Sequence, residues 1–187
     1  MEQNNQQTAL LVMDLEMGIL NTFPGAESYV GKVATAVKHA REKNILVIYV
    51  RVGFRQTKPE ISMNNKSFVT MKDNISNVNM DTFMKIHPAV EPLENDVIVT
   101  KRRISAFTGS DLEVVLRAQN IHHIILAGIA TSGVVLSTTR EAADKDYRIT
   151  ILSDGCADRD EEVHRILMTK VFPRQADVIT IDEWING

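Results

Sequence analysis

Short apolar runs recur along this chain with amphipathic helical stretches between most of them, and that alternation admits few folds. Residues 8–13 are almost wholly apolar and end in Asp14, ahead of Gly18, Pro24 and Gly25. A run of this length without polar alternation reads as a strand buried on both faces and running into a loop. From Ser28 to Lys43 the positions Val30, Val33, Ala36, Val37 and Ala40 recur at helical spacing, and residues 45–50 form a β-branched run. Together these make one β-α-β unit. Further along, residues 96–100 read as a strand ending at Lys101, 111–118 as a helix started by Ser110, and 122–127 as a fourth strand. A helix over 133–144, a strand over 148–153, a helix over 160–171 and a last strand over 178–181 complete the pattern. Residues 53–92 are polar, hold Pro59, Pro88 and Pro92, and read as a long loop with short helical pieces, a kind of segment usually tied to function. The expectation is a single-domain, doubly wound (Rossmann-like) α/β fold over residues 1–187, with a parallel sheet and helices on both faces. Ligands in such sheets bind beyond the carboxyl ends of the strands, where Asp14, Lys101 and the segment from Gly128 to Gly133 all fall.

Composition narrows the function classes. A length of 187 residues suits one core, and 44% hydrophobic with 24% charged residues is the balance of a soluble domain. Neither a signal-peptide pattern nor a long apolar run is present, so the reading is a cytoplasmic protein with no membrane partner. With a net charge of -3, and Lys101, Arg102 and Arg103 as the only dense basic cluster, nothing favours a nucleic-acid partner. The single cysteine, Cys156, excludes an intrachain disulfide and a cysteine-rich zinc site. The five histidines, His39, His87, His122, His123 and His164, include no i, i+4 pair and no cluster with carboxylates at ligand spacing, so no metal is expected. His87 is notable only because it lies in the long loop.

A carboxylate and an ammonium at neighbouring strand ends can hold a reacting group between them, one moving a proton and the other stabilising charge. Asp14 and Lys101 are such a pair, although as pattern alone a turn-capping aspartate and a solvated lysine fit equally well. The segment Gly128-Ile-Ala-Thr-Ser-Gly133 follows a strand and opens a helix, which places amides near a helix N-terminus suited to an anion. It lacks the Lys-Ser/Thr of a phosphate-binding loop, and no Gly-x-Gly-x-x-Gly follows the first strand, so no nucleotide cofactor is expected.

Three segments, Met13-Asp-Leu-Glu16, Val99-Thr-Lys101 and Gly128-Ile-Ala-Thr-Ser-Gly-Val-Val-Leu-Ser-Thr138, resemble in order and separation the signature regions of the isochorismatase-like, or cysteine hydrolase, superfamily. Arg140-Glu-Ala-Ala-Asp144 and Leu152-Ser-Asp-Gly-Cys-Ala-Asp158 are similar to that family's downstream segments. The resemblance implies a six-stranded parallel sheet, a cis peptide at Ile129-Ala130, a homo-oligomer (dimer or tetramer), and a site in which Asp14 and Lys101 are catalytic and Ala130, Thr131, Gly133 and Val134 meet a small-molecule substrate. Phe54, Phe68 and Phe107 lie near these segments and are candidates for the pocket wall, with plain core packing as the competing role. The chain departs from the family pattern where it matters most. Val134 stands where most members carry the nucleophilic cysteine, and Glu16 where the family has glutamine.

A valine neither attacks nor deprotonates, so acyl-enzyme chemistry by that route is excluded. Cys156, in a segment that is structural in the family, reads as a buried inert thiol. In isochorismatases without the cysteine the aspartate protonates a vinyl-ether carbon and water attacks the resulting cation. By that resemblance Asp14 is a general acid/base, Lys101 a charge stabiliser, and the amides of Ala130 and Val134 orient the same group. Arg51, Arg55, Arg102 and Arg103 are candidate partners for substrate carboxylates, or ordinary solvated charges. A non-catalytic binding protein on the same fold is the alternative, and a serine nucleophile at Ser132 or Ser137 has no histidine in its sequence context to activate it.

Overall fold

The computed structural model describes residues 5–187. Six strands, β1 Thr8–Met13, β2 Leu46–Val52, β3 Val97–Lys101, β4 His123–Ile129, β5 Arg148–Ala157 and β6 Asp177–Ile179, form one sheet in the order β3-β2-β1-β4-β5-β6. Every pairing is parallel. The chain works outward from β1 to one edge and then from β4 to the other, so the topological switch point lies between β1 and β4.

The apolar runs of the two central strands divide by side-chain alternation. Ala9, Leu11 and Met13 of β1 join Ile124 and Leu126 of β4 in one core. Leu10 and Val12 join Ile125, Ala127 and Ile129 in another on the opposite face. Helix α2 (Ala26–Glu42) turns Val30, Val33, Val37 and Ala40 onto the second face, where α8 (Ile181–Asn186) adds Ile181 and Trp184. The first face is covered by α5 (Leu112–Ala118), α6 (Leu136–Asp144) and the segment after α7 (Glu161–Ile166), through Leu112, Leu116, Ala142, Leu167 and Met168. The long loop carries α3 (Lys66–Asn74) and α4 (Met80–Phe83), and Phe54, Ile61, Phe68, Ile75 and Phe83 pack a third small core beneath them. Among the described residues no helix is long and apolar enough to cross a membrane.

Most boundaries shift by one or two residues from the sequence reading, and two differences matter more. The last strand stops at Ile179, and Ile181 opens α8, whose capping box pairs the Thr180 side chain with the Glu183 amide and the Glu183 side chain with the Thr180 amide. Strand β5 runs on past Ser153 to Ala157, because a register shift between Leu126 and Gly128 lets Cys156 and Ala157 pair with Gly128 and Ile129. At Gly128 the two central strands come so close that a Cβ would lie 2.7 Å from the Met13 carbonyl oxygen and 2.8 Å from the Met13 Cβ. Neither atom belongs to a flexible side-chain end. Gly128→Ala therefore lowers the unfolding free energy by about 1–3 kcal/mol, read from the denaturant midpoint; an unchanged midpoint would mean that β1 and β4 part without cost.

Candidate functional site

Asp14 closes β1 with a left-handed backbone, φ 58, and its amide donates to the Val50 carbonyl of β2 at 2.8 Å. This bend takes Asp14 off the strand path at the sheet's carboxyl edge. Lys101 is the last residue of β3, in register with Val52. Its Nζ reaches over the end of β2, the strand between them, and meets Asp14 Oδ2 at 3.0 Å. The ammonium also donates to the Arg103 carbonyl at 3.0 Å, which leaves one of its three protons for a ligand. Asp14 Oδ1 is buried and accepts no hydrogen bond from the described residues, so a second position beside the pair lacks its partner. Burial raises the Asp14 carboxyl above its usual range against the pull of the Lys101 charge.

Glu16, fully buried, does not cap the following turn, α1 (Met17–Leu20). Both its oxygens instead accept from the Val52 amide at 3.2 Å. Burial, and after it the Asp14 charge, push its carboxyl well above the usual range, against Lys101, the Val52 amide and Arg51.

Asp14 and Lys101 form the polar end of a cavity of about 320 Å³. Ile129, Ala130, Gly133 and Val134 line one side, and the Ile129-Ala130 peptide is cis, as the family resemblance implies. Ile19 and Phe23 near α1, Phe68 and Met71 of α3, and Ile104 supply the apolar remainder. Arg159 stands at the rim, where its guanidinium donates to the carbonyl and the hydroxyl of Thr22, both at 2.8 Å.

The structure thus brings together Asp14, Lys101, Ala130, Gly133 and Val134, but three other candidates do not line the cavity. Thr131 is buried behind the loop with its hydroxyl 2.8 Å from His164 Nδ1. Phe54 lies one layer back, edge-on to Phe68 at 5.7 Å. Phe107 belongs to the core beside Tyr147, at 5.9 Å. The suggested arginines are engaged elsewhere: Arg51 with Thr100 and the Met84 carbonyl, Arg55 and Arg102 with Glu60, Arg103 over the Phe68 ring. His87 turns to Glu27, at 3.4 Å, and its Nδ1 accepts from the Ala89 amide. Three of the loop amides are satisfied within the chain. Gly133 and Val135 donate to the Ala130 carbonyl, and Ser132 donates to Asp158 Oδ2 at 2.7 Å, so the anion at this turn is the protein's own carboxylate. Arg159, Phe23 and Met71 were missed, because a cation after β5, an apolar residue in a turn and one on a short helix carry no local sign of a shared cavity.

A mainly apolar pocket with a few convergent polar groups, set at the switch point of a doubly wound sheet, defines a small-molecule site of the α/β class. The isochorismatase domain matches residues 8–183, and the chain belongs to the isochorismatase family of hydrolases. Among similar proteins, the uncharacterized isochorismatase family protein YecD of Escherichia coli O157:H7 is 30% identical over 190 residues, covering 100% of this chain and 99% of that protein. Maleamate amidohydrolase of Pseudomonas putida is 26% identical over 185 residues, covering 94% of this chain and 84% of that protein. The solved structure of an isochorismatase family protein from Burkholderia thailandensis matches with a TM-score of 0.82 at 28% identity, over 95% of this chain and 93% of its own.

Cys156 lies apart from the pair, on β5 beside Gly128, with its thiol directed at the Leu126 carbonyl at 3.7 Å. Burial pushes that thiol up to about 12, far from a reactive thiolate. Alkylation by iodoacetamide at neutral pH, followed by mass spectrometry, is therefore expected to leave Cys156 unmodified in the folded protein and to modify it fully in denaturant. Rapid labelling of the native protein would show a thiol activated in spite of its burial.

Proposed function

We propose that this chain hydrolyses a small polar metabolite bearing an anionic group, without a covalent cysteine intermediate, in the cavity above β1, β3 and β4. One observation carries this reading: a buried Asp14–Lys101 pair, 3.0 Å apart, that keeps an unpartnered carboxyl oxygen at the end of a cavity. By the family resemblance Val134 stands where most members carry the nucleophile, so the attacking group in this reading is water. Asp14 passes a proton to the substrate, to the terminal carbon of a vinyl ether or the nitrogen of an amide. Water adds at the adjoining carbon, and the bond to the departing oxygen or nitrogen breaks, a departing ether oxygen leaving with the second proton of that water. Water supplies the new oxygen, and the proton it sheds returns to the Asp14 carboxylate. Lys101 faces the charge that develops on the substrate, and the apolar wall of Phe23, Phe68 and Met71 keeps bulk water from weakening that attraction. Among the described residues Arg159 is the other cation lining the cavity and pairs with no carboxylate, which suits it to a substrate carboxylate.

A panel of vinyl-ether and amide substrates with and without a carboxylate tests this. Asp14→Ala is expected to lower kcat/KM by roughly 10²- to 10⁴-fold, with circular dichroism confirming the fold and Asp14→Asn as a near-isosteric check. Arg159→Ala is expected to raise KM for carboxylate substrates by roughly 10- to 100-fold. Turnover that survives in both Asp14 variants, or a serine acylated by a substrate analogue, would remove the assignment. Val134 also favours a second reading, a binding protein that keeps the pocket without turnover; saturable ligand binding with no product across the panel is its signature.

A further inference from the structure

The site buries two carboxyl groups against one ammonium. Asp14 pairs with Lys101, whereas no lysine, arginine or histidine nitrogen among the described residues lies within 4.0 Å of the Glu16 carboxylate. Glu16 is fully out of water, held by a single amide hydrogen that its two oxygens share. The charged groups that act on it are Asp14 at the end of β1, Lys101 at the end of β3, and Arg51 on β2. Arg51 has the weakest influence of the three, being only partly buried and anchored on Thr100 Oγ1 and the Met84 carbonyl. The segment that pairs with Glu16 through Ile86 meets it with backbone, and the nearby His87 ring faces Glu27 instead.

We propose that Glu16 is a positioning residue that provides the counter-charge under which Asp14 can carry a proton, so that Asp14, Glu16 and Lys101 together hold one exchangeable carboxyl proton at neutral pH. This rests on the reading of Asp14 as a proton donor and deepens it. With a neutral side chain at position 16, a protonated Asp14 would leave the Lys101 ammonium buried without an opposite charge, a state that desolvation strongly disfavours. The unliganded site would then be an ion pair, and where the family has glutamine the proton would have to arrive with the negative charge of the substrate; Glu16 lets this site hold it beforehand. With Glu16 present, both one-proton arrangements are neutral. The proton sits on Glu16 while Asp14 pairs with Lys101, or it sits on Asp14 while the Glu16 charge balances the ammonium. Two interacting carboxyl groups of this kind titrate as a unit, so the proton belongs to the pair. A substrate whose acceptor atom lies against Asp14 Oδ1 selects the second arrangement.

Glu16→Gln keeps an oxygen for the Val52 amide and removes only the charge. Infrared spectroscopy at neutral pH reads the carbonyl stretch of a protonated carboxyl, which separates from carboxylate bands, and it needs no substrate. The parent is expected to show one such signal. Glu16→Gln and Asp14→Asn are each expected to lose it, since either leaves one carboxylate facing one ammonium; thermal melts confirm that both variants fold. Absence of the signal from the parent overturns the proposal. So does its survival in Asp14→Asn, which would make Glu16 an isolated buried acid, or in Glu16→Gln, which would place the proton elsewhere. If the substrate panel yields turnover, the alkaline limb of kcat/KM is expected at lower pH in Glu16→Gln. A shared proton without turnover rejects only the hydrolase reading, and turnover without a shared proton rejects only this one.

Discussion

A carboxylate and an ammonium 3.0 Å apart and shielded from water govern the arrangement around them. Removing such charges from solvent costs several kcal/mol for each ion, and only close geometry with further hydrogen bonds offsets it. The further bonds come from the chain ends around the pair. The Arg103 carbonyl takes one lysine proton, and the Val50 carbonyl fixes the Asp14 backbone in its left-handed turn. Because β2 separates β1 from β3, the pair can form only above the end of β2, at the level of Val52. Glu16 uses that same Val52 amide. Strand register, the Asp14 turn and the burial of Glu16 are therefore one linked geometry.

The sheet was readable because its central strands are buried on both faces, which leaves nearly unbroken apolar runs at residues 8–13 and 122–127. Their carboxyl ends were readable for the same reason, and Asp14, Ala130, Gly133 and Val134 fall at or just beyond them, while Lys101 closes the edge strand β3. The walls of the cavity were not. Whether Phe54, Phe68 or Phe107 faces a ligand depends on how the long loop folds back over the sheet, and a phenylalanine one layer deep has the same local pattern as one at the surface of a pocket. The continuation of β5 was hidden because Asp154, Gly155 and Cys156 lack β-branched character and pair only after a register shift. The start of α8 was more accessible, since Thr180 and Glu183 stand at capping-box spacing.

The helix-start amides show how a sound local argument can meet a different outcome. A turn from a buried strand into a helix does attract an anion, and here it attracts one. The anion is Asp158, whose carboxyl, despite partial burial, is held below its usual range by bonds from Ser132, Asp160 and Arg159. The same short stretch then presents Arg159 to the cavity rim. One segment after β5 thus ties down the loop that carries Val134 and also places a cation at the edge of the cavity.

What the pair can do chemically depends on an element outside the sheet. Phe68 and Met71 of α3 reach the cavity, yet α3 packs mainly on its own small core with Phe54, Ile61, Ile75 and Phe83. The groups that carry charge are fixed by strand ends, whereas the groups that exclude water come from a segment held by a separate set of contacts. Raising the cover would hydrate Asp14 and Glu16 and relax the burial that lifts both carboxyl groups. If Asp14 and Glu16 share a proton, water entering the cavity works against its retention. A ligand that fills the cavity while offering an acceptor to Asp14 would displace that water and keep the dielectric around the carboxyl groups low.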